Sequence, residues 1–141
     1  MKREVSRPPW FILIAAVTVS ISICLIVTLI YKEKFDGFVV LILISNILFE
    51  IIPYAVIIIL WRETGISKSI RKRYGILGSF VLLILSQSFW EAIHWIAAYT
   101  PPHDTSFAIG AFLFTSFFVG GIGYVIGYII GILVGKFGRK M

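Results

Sequence analysis

The chain has 141 residues, 59% of them hydrophobic and 14% charged, with a mean hydropathy of +0.98. A soluble domain is roughly 45–50% apolar, so this composition excludes one. The formal net charge of +6 does not mark a nucleic-acid binder, because the basic residues cluster at the ends of apolar runs, which is a topology signal.

Four apolar runs, 10–31, 38–61, 76–99 and 107–135, each reach the roughly 20 residues needed to cross a bilayer. They predict an all-α, polytopic integral membrane four-helix bundle, a single membrane domain over 1–141. Lys2, Arg3 and Arg7 precede the first run. Arg62, Lys68, Arg71, Lys72 and Arg73 lie between the second and third, and Lys136, Arg139 and Lys140 follow the fourth. Only Lys32 and Lys34 fall on the opposite side, diluted by Glu33 and Asp36. Positive charge is retained on the cytoplasmic side, so both termini and the 62–75 loop should be cytoplasmic, in the plasma membrane. The loops at 32–37 and 100–106 should face outward.

Pro8 and Pro9 break the chain before Trp10, which opens the first run. The run is too long for a signal-peptide core of roughly 7–15 residues, and no A-x-A site follows it, so it reads as a retained anchor. Its lone cysteine, Cys24, excludes an intramolecular disulfide and a cysteine-based zinc site. It reads as a small packing residue. Ala16, Ser20, Cys24 and Thr28 form a small-residue stripe that should lie mostly against the outer half of the fourth span.

In the second run Asn46, Glu50 and Tyr54 recur every four residues and share a helix face. Pro53 removes a backbone donor one turn from Glu50 and should kink the helix. In the third run Gln87, Glu91 and His94 share a face in the same way. Consecutive spans run antiparallel, so Asn46 falls at the depth of Glu91, and Glu50 at that of Gln87. Thr115 and Ser116 of the fourth run and Ser20, Ser22 and Cys24 of the first lie near this depth. An ionisable group at the centre of a membrane helix costs roughly 2.5–3.5 kcal/mol. Such groups therefore turn inward to a partner, a cavity or a pathway. The third run holds eleven Leu, Ile, Val or Phe residues, about −3 to −7 kcal/mol of insertion free energy, and Glu91 alone takes back about 3. Glu91 should thus be satisfied inside the bundle, with Asn46 or Gln87 nearest and His94 one turn outward. Glu50 should keep its proton at neutral pH unless water, His94 or a cation meets it, because desolvation disfavours a carboxylate.

Three readings compete for this layer. It is interhelical hydrogen-bonding glue, a transport or proton-relay site, or a metal or catalytic site. The last rests on the Glu91-x-x-His94 spacing with Glu50 as a further oxygen ligand, and it offers Glu50, Glu91 and His94 as weak metal candidates. No nucleophile–base pair or ligand set is complete, so an enzyme is the lesser expectation. The sequence indicates no cofactor.

Trp61, Tyr31, Tyr74, Trp95 and Tyr99 fall near span ends and read as an interfacial aromatic belt. The alternative is a ligand-binding box of Trp90, Trp95 and Tyr99. Lys68, Arg71, Lys72 and Arg73 form a basic surface that attracts anionic lipid. Thr100-Pro101-Pro102-His103-Asp104 is a tight outer turn, with His103 exposed and Asp104 or Thr105 capping the fourth helix. Finally, Gly123, Gly127, Gly131 and Gly135 recur at four-residue steps. This is a glycine zipper that admits another backbone closely. A second copy of the fourth span should fill it, giving a homodimer or higher oligomer. The expected function is a minimal oligomeric transporter, or an accessory subunit with a membrane-complex partner. A purely structural or assembly role is the alternative.

Overall fold

The computed structural model describes residues 9–67 and 69–138, and residues 64–67 by their backbone only. Lys2, Arg3, Arg7, Lys68, Arg139 and Lys140 therefore lie outside the described residues. Four helices make up the fold: α1 Trp10–Ile30, α2 Gly37–Ser67, α3 Ile70–Tyr99 and α4 Ser106–Phe137. All four are long and apolar enough to cross a membrane.

The helices outrun the apolar runs at the α2–α3 connection. Residues 62–75, expected as a loop, are almost wholly helical, since α2 continues to Ser67 and α3 resumes at Ile70. Arg, Lys and Glu are good helix formers, so the hydrophobic boundary and the helix boundary need not coincide. At about 1.5 Å per residue, α2, α3 and α4 each exceed the roughly 30 Å hydrocarbon core. Their charged ends then stand in the headgroup zone. Pro53 lies inside α2, which continues past it.

At the opposite end the connections are tight. Lys32 adopts φ 53° and Glu33 N–H bonds the Thr28 carbonyl at 3.1 Å, closing α1. Asp36 Oδ1 accepts from the amides of Phe38 and Val39 at 3.1 and 3.0 Å, satisfying donors that the first turn of α2 leaves free. Asp104 Oδ1 accepts from the Ser106 amide and hydroxyl, whereas Thr105 makes no side-chain cap. His103 is exposed, with Nδ1 2.8 Å from the Ala98 carbonyl oxygen, and does not reach inward. These two loops define one end of the bundle. The other, basic end carries Arg62, Arg71, Lys72, Arg73 and Lys136.

Packing inverts the soluble pattern. Phe117 is 82% exposed and Leu29 76%, while Glu50, Gln87 and Glu91 are each 1% or less. An apolar exterior around a polar interior is stable only where the solvent is hydrocarbon. Helices α2 and α3 each touch every other helix, whereas α1 and α4 sit diagonally with no close backbone approach. The small stripe of α1 therefore does not take up the backbone of α4. Ala16, Ser20, Cys24 and Thr28 are all buried, and their polar contacts run to α2 and α3.

The glycine zipper is also filled differently from expectation. A Cβ on Gly123 would lie 2.5 Å from the Gly78 carbonyl oxygen, and one on Gly127 would collide with the Tyr74 carbonyl. One on Gly131 would lie 2.9 Å from Arg71 Cα. The partner backbone is thus α3 of the same chain. Its own Gly75 and Gly78 complete the contact, and Ser79 Oγ donates to the Gly120 carbonyl across it. Gly135 lies at the margin, where a Cβ would meet only Ile70 Cγ2 at 3.8 Å. A fourth-span homodimer would have to use another face of α4. Within the chain α3 fills the ladder because it offers small residues, Gly75, Gly78 and Ser79, at matching depth, which makes an intramolecular backbone contact available.

Candidate functional site

Midway along the bundle, one amide ties three helices together. Gln87 Nε2 of α3 lies 3.0 Å from the Ala16 carbonyl oxygen, 2.7 Å from Ser20 Oγ and 3.1 Å from Glu50 Oε2. Its Oε1 accepts from the Tyr54 hydroxyl at 2.5 Å. The Ala16 carbonyl can only accept, so it fixes which end of the amide faces α1. Ser20 Oγ in turn donates to Glu50 Oε2 at 2.6 Å. Ser20, Glu50, Tyr54 and Gln87 are all fully or almost fully buried.

One turn nearer the two-loop end, Glu91 is completely buried, with the Glu50 carboxyl close enough to act on it electrostatically. Glu91 Oε1 accepts from Trp95 Nε1 at 2.8 Å. The hydrogen-bond partner of Glu91 is thus Trp95, with the charge of Glu50 felt beside it. The expected Asn46 and Gln87 are not its hydrogen-bond partners, because Gln87 is engaged by Glu50, Ser20, Ala16 and Tyr54. Trp95 is 1% exposed, so it is no belt residue. The indole is a donor-only group placed one helical turn from Glu91, a spacing visible in the sequence. The other belt residues differ among themselves. Tyr31 is at the surface and Tyr74 half-buried. Trp61 is half-buried and edge-on to Phe11 at 6.1 Å. Tyr99 hydrogen-bonds Thr28 at 2.8 Å. Trp90 is half-buried and packs edge-on between Phe89 and Phe107. It does not join Trp95 and Tyr99, whose rings are 5.9 Å apart, in a box.

His94 is buried, its ring edge-on to Trp95 at 5.3 Å, with Glu91 in electrostatic range and the Thr105 backbone reaching the imidazole from the two-loop end. Neither ring nitrogen has an aligned hydrogen bond. Glu50 Oε1, Glu91 Oε2 and Asn46 Nδ2 share that condition. These are the only buried side-chain polar atoms without a hydrogen bond among the described residues, and all belong to this one layer. Each such atom costs about 1–3 kcal/mol.

The layer is asymmetric along the bundle axis. Towards the two-loop end it continues through His94, Thr28 and Tyr99. Towards the basic end it stops at Gln87 and Tyr54, beyond which Ile12, Ile57, Ile76 and Leu83 form an apolar plug. No Lys or Arg occurs within 37–61, 76–99 or 106–135, so no fixed cation neutralises the carboxyl pair. Glu50, Glu91 and His94 do not gather into a group able to hold a metal ion, and no other three His, Cys, Asp or Glu do so among the described residues.

Ser20, Tyr54 and Trp95 thus enter the site beside Asn46, Glu50, Gln87, Glu91 and His94. Ser20 and Tyr54 lie on faces the sequence already marks as polar. The Ala16 carbonyl carries no sequence signal. Comparison of the chain with family models, with curated proteins and with solved structures finds no match.

Proposed function

We propose that this small multi-pass membrane protein is a proton-binding component of membrane transport, either as an oligomeric transporter or as the accessory subunit of a transport complex. Its proton-loaded centre is the Glu50–Glu91 pair. The observation that carries this reading is that, among the described residues, every buried side-chain polar atom without a hydrogen bond belongs to the carboxyl–histidine layer. Hydrogen-bonding glue serves its purpose when its members are satisfied. A site that leaves two carboxyl oxygens and an imidazole unpaired bears a cost that proton exchange explains. In this reading His94 passes protons between the two-loop end and Glu91, and the apolar plug beyond Gln87 blocks through-leak. The positive-inside distribution supports the two-loop end as the outer face, and the proposed location is the plasma membrane.

Infrared titration of the reconstituted protein tests the centre. A protonated carboxyl band should be present at pH 7 and vanish only in the Glu50→Gln/Glu91→Gln double variant. Proteoliposomes loaded with a pH dye should show proton entry, under a pH gradient and a permeant counter-ion, that Glu91→Gln abolishes. Two ionised carboxylates at pH 7 together with Glu91-independent proton entry would remove the reading and leave interhelical adhesion.

A further inference from the structure

The seam between α3 and α4 is closed by glycines on its inner side but open to the exterior along two stacked apolar cavities. One, of about 360 Å³, is lined by Tyr74, Leu77, Gly78, Val81, Leu82, Ile126 and their neighbours. The other, of about 420 Å³, continues it from Leu82 to Phe89 and Trp90. Tight backbone approach leaves this groove: Gly78, Gly123 and Gly127 have no side chains to fill it. From Tyr74 to Leu82 the first cavity runs about 12 Å along α3, close to the roughly 15 Å of one hydrocarbon leaflet.

What lies at its basic end decides the occupant. Arg71 is one helical turn before Tyr74 on the same side of α3, and its Cα packs over Gly131. Arg71, Lys72 and Arg73 are all exposed, as is Lys136 in the last turn of α4. Thus four cationic side chains stand at headgroup depth, where an acyl-length groove begins. A neighbouring protein helix would gain nothing from that charge, whereas a lipid phosphate would.

We infer that the α3–α4 groove is a binding site for an anionic phospholipid of the leaflet at the basic end. One acyl chain runs from Tyr74 to Leu82 and the headgroup phosphate is held by Arg71 and Arg73. The inference is independent of the carboxyl pair, which lies on the opposite face of α3.

The probe is phosphatidylglycerol against phosphatidylcholine of the same chains, exchanged onto detergent-purified protein and counted by native mass spectrometry. Phosphatidylglycerol should be retained in preference. Each of Arg71→Gln and Arg73→Gln should weaken its retention about fivefold, the effect of one headgroup-zone charge. Val81→Trp, which fills the groove from the lipid side, should displace both lipids while helix content stays unchanged. Equal retention of the two lipids, or retention of phosphatidylglycerol unaltered in Arg71→Gln/Arg73→Gln, overturns the headgroup assignment. Retention unaltered in Val81→Trp overturns the groove, as do disulfide crosslinks between copies bearing Val81→Cys, which would place a second chain there.

Discussion

Gln87→Leu is the most direct test of how the bundle is held together. The substitution keeps the volume near constant but removes an amide that links Ala16 and Ser20 of α1, Glu50 and Tyr54 of α2, and α3 itself. Hydrogen bonds between membrane helices average about 0.6 kcal/mol each, and two amide protons with one accepting oxygen make three full bonds, so the contacts amount to about 1.8 kcal/mol. The losses are unequal. Ser20 still donates to Glu50, and the Ala16 carbonyl keeps its own helical bond. The Tyr54 hydroxyl, in a completely buried side chain, loses its only acceptor, at about 1–3 kcal/mol. Leucine returns part of this through apolar contact, and the net expected destabilisation is about 2–3 kcal/mol. Reversible unfolding in mixed micelles, followed by circular dichroism, measures it. The companion variant Tyr54→Phe/Gln87→Leu removes the orphaned hydroxyl and should recover about 1 kcal/mol relative to Gln87→Leu alone. A Gln87→Leu protein within about 0.5 kcal/mol of the parent, the worth of one such bond, would show that the amide hub is not what joins α1 and α2 to α3.

Two further outcomes follow from the packing and the charge pattern. Gly127→Leu places a side chain against the Tyr74 carbonyl and Gly75 Cα. It should force α3 and α4 apart, with a loss of at least the roughly 1–3 kcal/mol typical of overpacking, whereas Gly121→Leu, where a Cβ meets nothing within 4 Å, should be tolerated. Equal thermal stability of the two variants in detergent would refute the α3–α4 glycine contact. Reporter fusions at both termini and after Thr105 should place the termini in the cytoplasm and the 100–105 loop outside, as the basic asymmetry requires. An external C-terminus would reverse the sidedness of the proposed proton entry.

The number of spans and the inward-facing polar residues were legible in the sequence because both depend on quantities local to each segment. Transfer of a residue from water to hydrocarbon is priced residue by residue, so four apolar runs announce four helices. The four-residue recurrence of Asn46, Glu50 and Tyr54, and of Gln87, Glu91 and His94, fixes which groups share a face before any partner is known. The same arithmetic sends those faces inward, where the structure buries them.

Only the tertiary structure decided who meets whom. Lipid and leucine are equally apolar, so no hydrophobic force selects a neighbour inside the bilayer, and association follows shape and hydrogen bonding between two surfaces. That is why a stripe of glycines on α4 does not say whether α3 or a second α4 will fill it. It is also why Trp95 passes for an interfacial aromatic until its indole is found on Glu91. The confrontation of Glu50 with Glu91 has the same origin. Matched depth brings two spans to one level, but rotation about each helix axis then decides whether a carboxyl group meets an amide or another carboxyl. That rotation is set by the amide of Gln87 and the glycines of the α3–α4 seam acting together.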